Sequence, residues 1–221
     1  MEKIRKNKIA IIISSLLILT PICVSLLFWD KLPDQIPVHF NMNGEADDYW
    51  SKTAALLGIP VIMLAVHALC IFATVADPKR KNISDAAFNM VLFICPVMSI
   101  ILSAIEVSYG LGREVSVNKI VMLLMGMMFI VLGNYVPKSR RNYTMGIKVP
   151  WALNSDNNWN ATHRFAGIVY IAIGIVSLIM GVLPAVSGNI MWIYFVVMMI
   201  VATAPVVYSF IYYIKYEKEE E

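Results

Sequence analysis

The chain has 221 residues, of which 59% are hydrophobic and only 15% charged, against about 25% charged in an ordinary soluble domain. With a mean hydropathy of +0.69 there is too little polar surface to face water on every side, which excludes a water-soluble globular domain. The formal net charge of +3 follows from where the loops fall along a membrane protein and gives no reason to expect direct nucleic-acid binding.

Lys3, Arg5, Lys6 and Lys8 precede an apolar run from Ile9 to Phe28. Such a start resembles a secretory signal. The run is long for one, however, and Trp29-Asp30-Lys31-Leu32-Pro33 follows in place of a small-residue cleavage site. It is expected to stay as an uncleaved first helix. A bilayer core about 30 Å thick needs about 20 apolar residues in a helix. Six segments qualify, at about 9–29, 54–76, 86–109, 119–137, 165–186 and 189–214. The expected fold is therefore an all-α membrane protein of about six transmembrane helices. It divides into an N-terminal region, 1–76, with the first two helices and the loop between them, and a region 77–221 with the other four.

Lys and Arg collect on the cytoplasmic side of membrane proteins. With the N-terminus inside, 14 of the 18 basic residues fall in inner segments and 4 (Lys31, Lys52, Arg113 and Lys119) in outer ones. Both termini are thus expected in the cytoplasm of a bacterial cell membrane. Trp29, Trp50 and Trp192 then sit at outer helix ends, where an indole prefers the interface.

The first outer loop, roughly 30–53, is long enough to carry specific chemistry. Pro33 and Pro37 keep their neighbours extended. Ile36, Val38 and Phe40 alternate with Pro37, His39 and Asn41 in the period of a short strand, and Asn43-Gly44 signals a turn. A short extended arm ending in a turn and leading into the second helix is expected. Asp30, Asp34, Glu45, Asp47 and Asp48 give the loop an acidic face that would attract a cationic peptide or a metal; a solvated acidic rim accounts for it equally. His39 could be a ligand or a pH-sensitive contact, although a lone His is more often structural.

Within the spans, His67 and Cys70 are three apart, and Cys95 lies in the third helix. A buried metal or haem site is conceivable there, but without a fourth ligand these residues read as packing groups, and no cofactor is expected. The three cysteines form no readable disulfide framework. Glu106 sits near the end of the third span, where it reads as a solvated or paired helix-end charge. Gly126 and Gly133 on the fourth span, and Gly167, Gly174 and Gly181 on the fifth, recur every seven residues. Small residues let helix backbones approach closely in lipid, so these two helices are expected to form a tight antiparallel pair capped by the inner loop 138–164. In that loop Ser155 or Asp156 is a plausible N-cap, with the fifth helix beginning near Asn157. Trp159 and His163 are then four apart on one face, forming either an interfacial anchor belt or a docking surface for a cytoplasmic protein. Arg164 would snorkel at headgroup level.

Two separated motifs resemble one family. Leu32-Pro33-x-x-Ile36-Pro37-x-His39-x-Asn41-x-x-Gly44, followed by Ser51-Lys52, is similar to the domain of unknown function that opens SdpI-type immunity proteins. The second run resembles that family's cytoplasmic signature: Gly133-Asn134-Tyr135-Val136-Pro137, then Asn142 to Gly146 with Lys148, Trp151 and Leu153, then Trp159-x-x-Thr162-His163-Arg164-x-x-Gly167. The chain departs from it with Lys148 for Arg, which keeps the charge but loses the planar fork, and with Ala152 for Thr.

The resemblance implies a bacterial membrane immunity or signalling protein that recognises a secreted toxin or stress peptide outside and holds a small winged-helix repressor inside. The implied outer contacts are Pro33, Pro37, His39, Asn41 and Gly44. The inner ones are Asn134, Asn142, Gly146, Lys148, Trp151, Trp159, His163 and Arg164. A small transporter is the alternative, weakened by spans nearly free of ionisable residues. A metal-binding membrane enzyme is weaker still, since no HExxH, GxSxG, P-loop or paired intramembrane aspartates are present.

Overall fold

The computed structural model describes residues 2–183 and 188–218. Among them, six helices are long and apolar enough to cross a membrane: Lys8–Leu27, Ala54–Ala76, Asp85–Gly110, Val117–Lys138, Asp156–Val182 and Gly188–Tyr216. The expected end of the fifth span at 184–186 lies outside the described residues. The sheet has two strands. Packing divides the chain into two compact units, one of residues 1–76 and 85–117 and one of 77–84 and 118–221. The third long helix thus groups with the first two rather than with the three that follow.

In the first unit, a short helix α1 (Glu2–Lys6) meets α2 (Lys8–Leu27) at Asn7, whose side chain donates to Lys3 O at 2.9 Å. α2 buries Ser14, Ile18, Pro21 and Ser25 along one face. Strands β1 (Gln35–Phe40) and β2 (Ala46–Ser51) come next, then a π-helical turn at Ala54–Gly58, α3 (Ile59–Ala76) and α4 (Asp85–Gly110). Ser99 Oγ on α4 donates to Ile18 O on α2 at 2.9 Å, Lys6 pairs with Asp85, and Ser14 Oγ meets His67 Nε2 of α3 at 3.0 Å. Polar atoms crossing between apolar helices suit lipid, which offers them no water. The remaining faces are apolar and open, with Leu27 81% and Phe72 70% exposed, as a lipid-facing surface requires.

The loop after α2 is a hairpin, where the sequence predicts a single arm. β1 pairs antiparallel with β2 from Gln35↔Ser51 to Phe40↔Ala46, with irregular register around His39. Ile36 and Pro37 are both buried, where strict alternation would bury only one of them. Asn41 Oδ1 accepts from Asn43 N at 2.9 Å and from Glu45 N at 3.1 Å, and Gly44 takes φ +81°, a left-handed conformation that favours glycine. Leu32, Ile36, Ala55, Leu56 and Val107 form one buried cluster, and Gly110 lies so close that a Cβ there would sit 2.8 Å from Leu32 Cδ2. The hairpin is therefore seated on α4 through its apolar face.

One residue of this unit departs from its sequence reading. Glu106 is 4% exposed, and its Oε2 has no hydrogen-bond partner among the described residues, where a solvated or paired charge was expected. The hairpin and the apolar cluster beneath it cover the helix end that was expected to meet water.

The second unit holds α5 (Val117–Tyr135), a turn at Val136–Lys138, α6 (Pro150–Asn154), α7 (Asp156–Val182) and α8 (Gly188–Tyr216). The glycine register predicted for the fourth and fifth spans is present. A Cβ on Gly126 would meet Gly174 O at 3.0 Å, and one on Gly133 would meet Gly167 O at 2.8 Å. These two facing pairs make α5 and α7 antiparallel, with backbone against backbone. Ser155 is the N-cap of α7, its side chain accepting from Asn158 N at 3.2 Å. At 27 residues, α7 is about 40 Å long, roughly two turns more than a 30 Å hydrocarbon core needs.

Candidate functional site

The loop 139–155 and the first two turns of α7 fold into one hydrogen-bonded body. Asn142, 1% exposed, bends the chain back on itself. Its Oδ1 accepts from Thr144 N at 3.0 Å and Met145 N at 2.7 Å, while its Nδ2 donates to Arg140 O at 2.8 Å. Gly146 follows at φ +108° and lets the backbone lie directly against two side chains of α7. An ideal Cβ there would be 2.4 Å from His163 Nε2 and 3.1 Å from Trp159 Cη2.

His163 and Trp159 are stacked with ring centroids 3.9 Å apart. Trp159 Nε1 donates to Ser139 O at 2.8 Å. Ile147 N–H donates to His163 Nε2 at 3.0 Å, and His163 Nδ1 lies 2.7 Å from Trp159 O. A carbonyl can only accept, so Nδ1 carries the proton; Nε2, accepting from Ile147, carries none. The geometry thus sets a neutral imidazole of one tautomer, which reads the backbone of the loop from the helix.

The anchor on the other side of the loop is Asp77, just after α3 and 3% exposed. It accepts from Lys79 N at 2.7 Å, Tyr143 N at 2.9 Å and Thr144 Oγ1 at 2.6 Å. Asn82 Nδ2 donates to Arg141 O at 2.7 Å. Arg141 in turn bridges Leu153 O at 2.9 Å and Asp156 Oδ1 at 2.8 Å. A second polar knot ties α7 to α8: Asn158 Oδ1 accepts from Thr162 Oγ1 at 3.0 Å and Ser209 Oγ at 2.6 Å. Asp77, Arg141 and Asn158 carry no motif signal. Asp77 alone offers a physical hint, since a carboxylate at a helix C-terminus opposes the dipole and so needs donors from elsewhere.

Of the residues singled out in the inner motif, Asn142, Gly146, Trp159 and His163 therefore come together. Asn142, Trp159 and His163 are no more than 1% exposed, so they shape the loop from within and neither meet lipid as a belt nor offer a surface. Trp151 packs elsewhere, on α6 against Phe210 and Tyr213 of α8 at centroid distances of 5.1 and 6.4 Å. Lys148, Arg164 and Asn134 are exposed. Lys148 Nζ reaches Thr144 O at 3.1 Å, Arg164 Nε reaches Asn160 O at 3.3 Å, and Asn134 accepts from Lys138 at 2.9 Å. With Arg140 and Tyr143, Lys148 forms the outward side of the loop.

The hairpin is a separate site in the first unit. Pro33 and Pro37 carry the chain across Gly110 and into β1, while Asn41 and Gly44 build the turn. His39 is exposed, with Nδ1 2.5 Å from Asp47 Oδ1. β2 presents Asp47, Asp48, Tyr49 and Trp50 to the outside. Among the described residues, no group of three or more His, Cys, Asp or Glu side chains could hold a metal. His39 Nδ1 meets Asp47, and His67 is bonded to Ser14.

Asp77→Ala tests the loop's construction. It leaves two backbone N–H groups and a hydroxyl without their acceptor, and hydrogen bonds to a charged group are worth about 1.5–3 kcal/mol each. A lower melting temperature in detergent and faster trypsin cleavage after Arg140 or Arg141 are expected; wild-type resistance would show that the loop holds without this anchor.

These two sites coincide with the segments shared with known proteins. The model of the SdpI/YfhL protein family matches residues 138–209, beginning at the loop and running through α7 into α8. The model of a domain of unknown function, DUF1648, matches residues 16–64, which hold the hairpin and the helices that flank it. The chain is 30% identical over 199 residues, covering 90% of both sequences, to a protein of Bacillus subtilis (strain 168) named Immunity protein SdpI. No solved structure matches. Identity of 30% over 90% of both chains, on six helices apolar enough to span a membrane, makes this chain a multi-pass membrane protein belonging to the SdpI/YfhL protein family.

Proposed function

We propose that this protein is a bacterial immunity protein of the cell membrane, with both termini cytoplasmic, whose hairpin meets a secreted peptide toxin and whose 138–164 loop engages a cytoplasmic repressor. The carrying observation is the 30% identity over 90% of both chains to a protein named for immunity. The chemistry of the two sites supports the sides assigned. β2 exposes Tyr49 and Trp50, at 45% and 41%, beside Asp47 and Asp48. Aromatic faces with flanking carboxylates suit a cationic amphipathic peptide. The loop's outward residues Arg140, Tyr143 and Lys148 suit an acidic patch on a partner, and Asn142, Gly146, Trp159 and His163 hold them in place.

The test expresses wild type and an Asp47→Lys, Asp48→Lys double variant in a toxin-sensitive Bacillus, scoring survival against its secreted peptides. Cysteines placed at 43 and 148 report each loop's side through a membrane-impermeant maleimide. Protection by wild type, a drop of about tenfold or more in the double variant from two reversed charges at the contact, and labelling at 43 alone in intact cells are expected. An inserted wild type that protects against no peptide would sink the proposal.

A further inference from the structure

Glu106 lies one turn before the end of α4, 4% exposed, with Oε2 unpartnered. Ser103, three residues earlier on the same helix, is 3% exposed, and its Oγ is likewise without a partner among the described residues. The Lys6–Asp85 pair, the Ser99–Ile18 hydrogen bond and the seating of Leu32 on Gly110 run α2 and α4 side by side in the same direction. Ser25 follows Ile18 by seven residues, as Glu106 follows Ser99. Two helical turns on each helix bring Ser25 level with Glu106. Ser25 is 0% exposed, and its Oγ is a third orphan. Buried polar atoms without partners are uncommon and point to an occupant, and an ionisable side chain inside a membrane bundle marks a pathway or a site by default.

Among the described residues, no neighbouring charge answers this carboxyl. α2 carries Lys8 only at its far end, and α3 brings His67, which is bonded to Ser14. On α4, Tyr109 packs against Phe40 and Cys95 lies three turns away. In the hairpin, His39 is bonded to Asp47, while Lys52 is bound to Trp29 O and Asp34. Asp30, Lys31, Arg113 and Glu114 are exposed.

We propose that Glu106, Ser25 and Ser103 form an intramembrane binding site for one small cation, a proton or a sodium ion. Bound as a proton, it makes Glu106 a donor that a serine hydroxyl accepts, and that hydroxyl donates onward. Bound as sodium, it takes the carboxylate and the two hydroxyls as oxygen ligands. Val107, adjacent to Glu106, packs in the cluster with Leu32 and Ile36, so the site lies directly beneath the hairpin.

The experiment treats the full-length protein in lipid nanodiscs with dicyclohexylcarbodiimide, which modifies protonated carboxyl groups shielded from water, and maps the adduct by mass spectrometry. An adduct on Glu106 that declines as pH rises, and is absent from Glu106→Gln, is expected. Protection at fixed pH by sodium but not potassium identifies sodium as the occupant; no protection identifies the proton. The Ser25→Ala, Ser103→Ala double variant should keep the adduct but shift its pH or sodium midpoint by about tenfold, the size of one lost hydrogen bond. Absence of the Glu106 adduct at every pH from folded wild-type protein, or a midpoint unmoved in the folded double variant, overturns the proposal.

Discussion

Replacing Gly146 with alanine is expected to unfold the 139–155 loop while leaving the six long helices inserted. Two independent penalties act at this one position. The φ of +108° is a conformation that a residue with a side chain holds only at a cost of order 1–3 kcal/mol. The added Cβ would also arrive 2.4 Å from His163 Nε2, well inside van der Waals contact, so the imidazole or the loop must move. Either movement breaks the 3.0 Å bond from Ile147 N–H and strands a buried imidazole acceptor on His163, at about 1–3 kcal/mol more. The total is a large fraction of the 5–15 kcal/mol that holds a typical protein folded. The variant should show rapid trypsin cleavage after Arg140, Arg141 or Lys148, with little loss of far-ultraviolet helix signal. Adding His163→Ala to it relieves the clash but not the backbone strain, so partial recovery of resistance would apportion the two terms. Gly146→Ala with wild-type protease resistance would mean that the loop does not close on α7 through this contact.

The different fates of these residues show which physics a sequence displays. The six spans are legible because a bilayer imposes length and apolarity on every crossing segment, whatever it packs against. The α5–α7 register is legible for a related reason: a seven-residue glycine repeat has little other use in an apolar helix. β2 is not legible. Asp47 and Asp48 are poor strand formers, and only pairing with β1 makes that stretch a strand. Trp159 and His163 look like an interfacial belt because they lie on one helix face next to Arg164. Their burial depends on the loop folding back over that face, which Gly146 and Asn142 allow but do not advertise. Asp77 is masked by its neighbours Lys79, Arg80 and Lys81, beside which a carboxylate looks like a surface charge. Glu106 is hidden for the opposite reason, since a charge one turn from a helix end normally reaches water, and here the hairpin covers it.

A leucine in place of Gly174 is expected to sharply reduce accumulation of the protein in the membrane. In lipid there is no hydrophobic gain from bringing two apolar helices together, so close packing must supply the attraction. On α7 the packing surface is backbone: the Cβ position of Gly174 lies 2.8 Å from Gly126 O and 2.9 Å from Ile130 N. Backbone in the middle of a helix cannot turn aside as a side-chain tip can, so even alanine forces α5 and α7 apart, and leucine forces them further. Overpacking costs typically about 1–3 kcal/mol where side chains can adjust; with backbone opposite, the upper end or more is expected. Separation would also strain the facing Gly133–Gly167 contact, because both pairs lie on one seam. Gly58 serves as the control, since nothing lies within 4 Å of a Cβ there, and Gly58→Leu should accumulate normally. Membrane-fraction immunoblots and melting in detergent measure both variants. Equal levels for Gly174→Leu and wild type would mean that the two helices do not rely on this seam, and the loop between them would then need a different support.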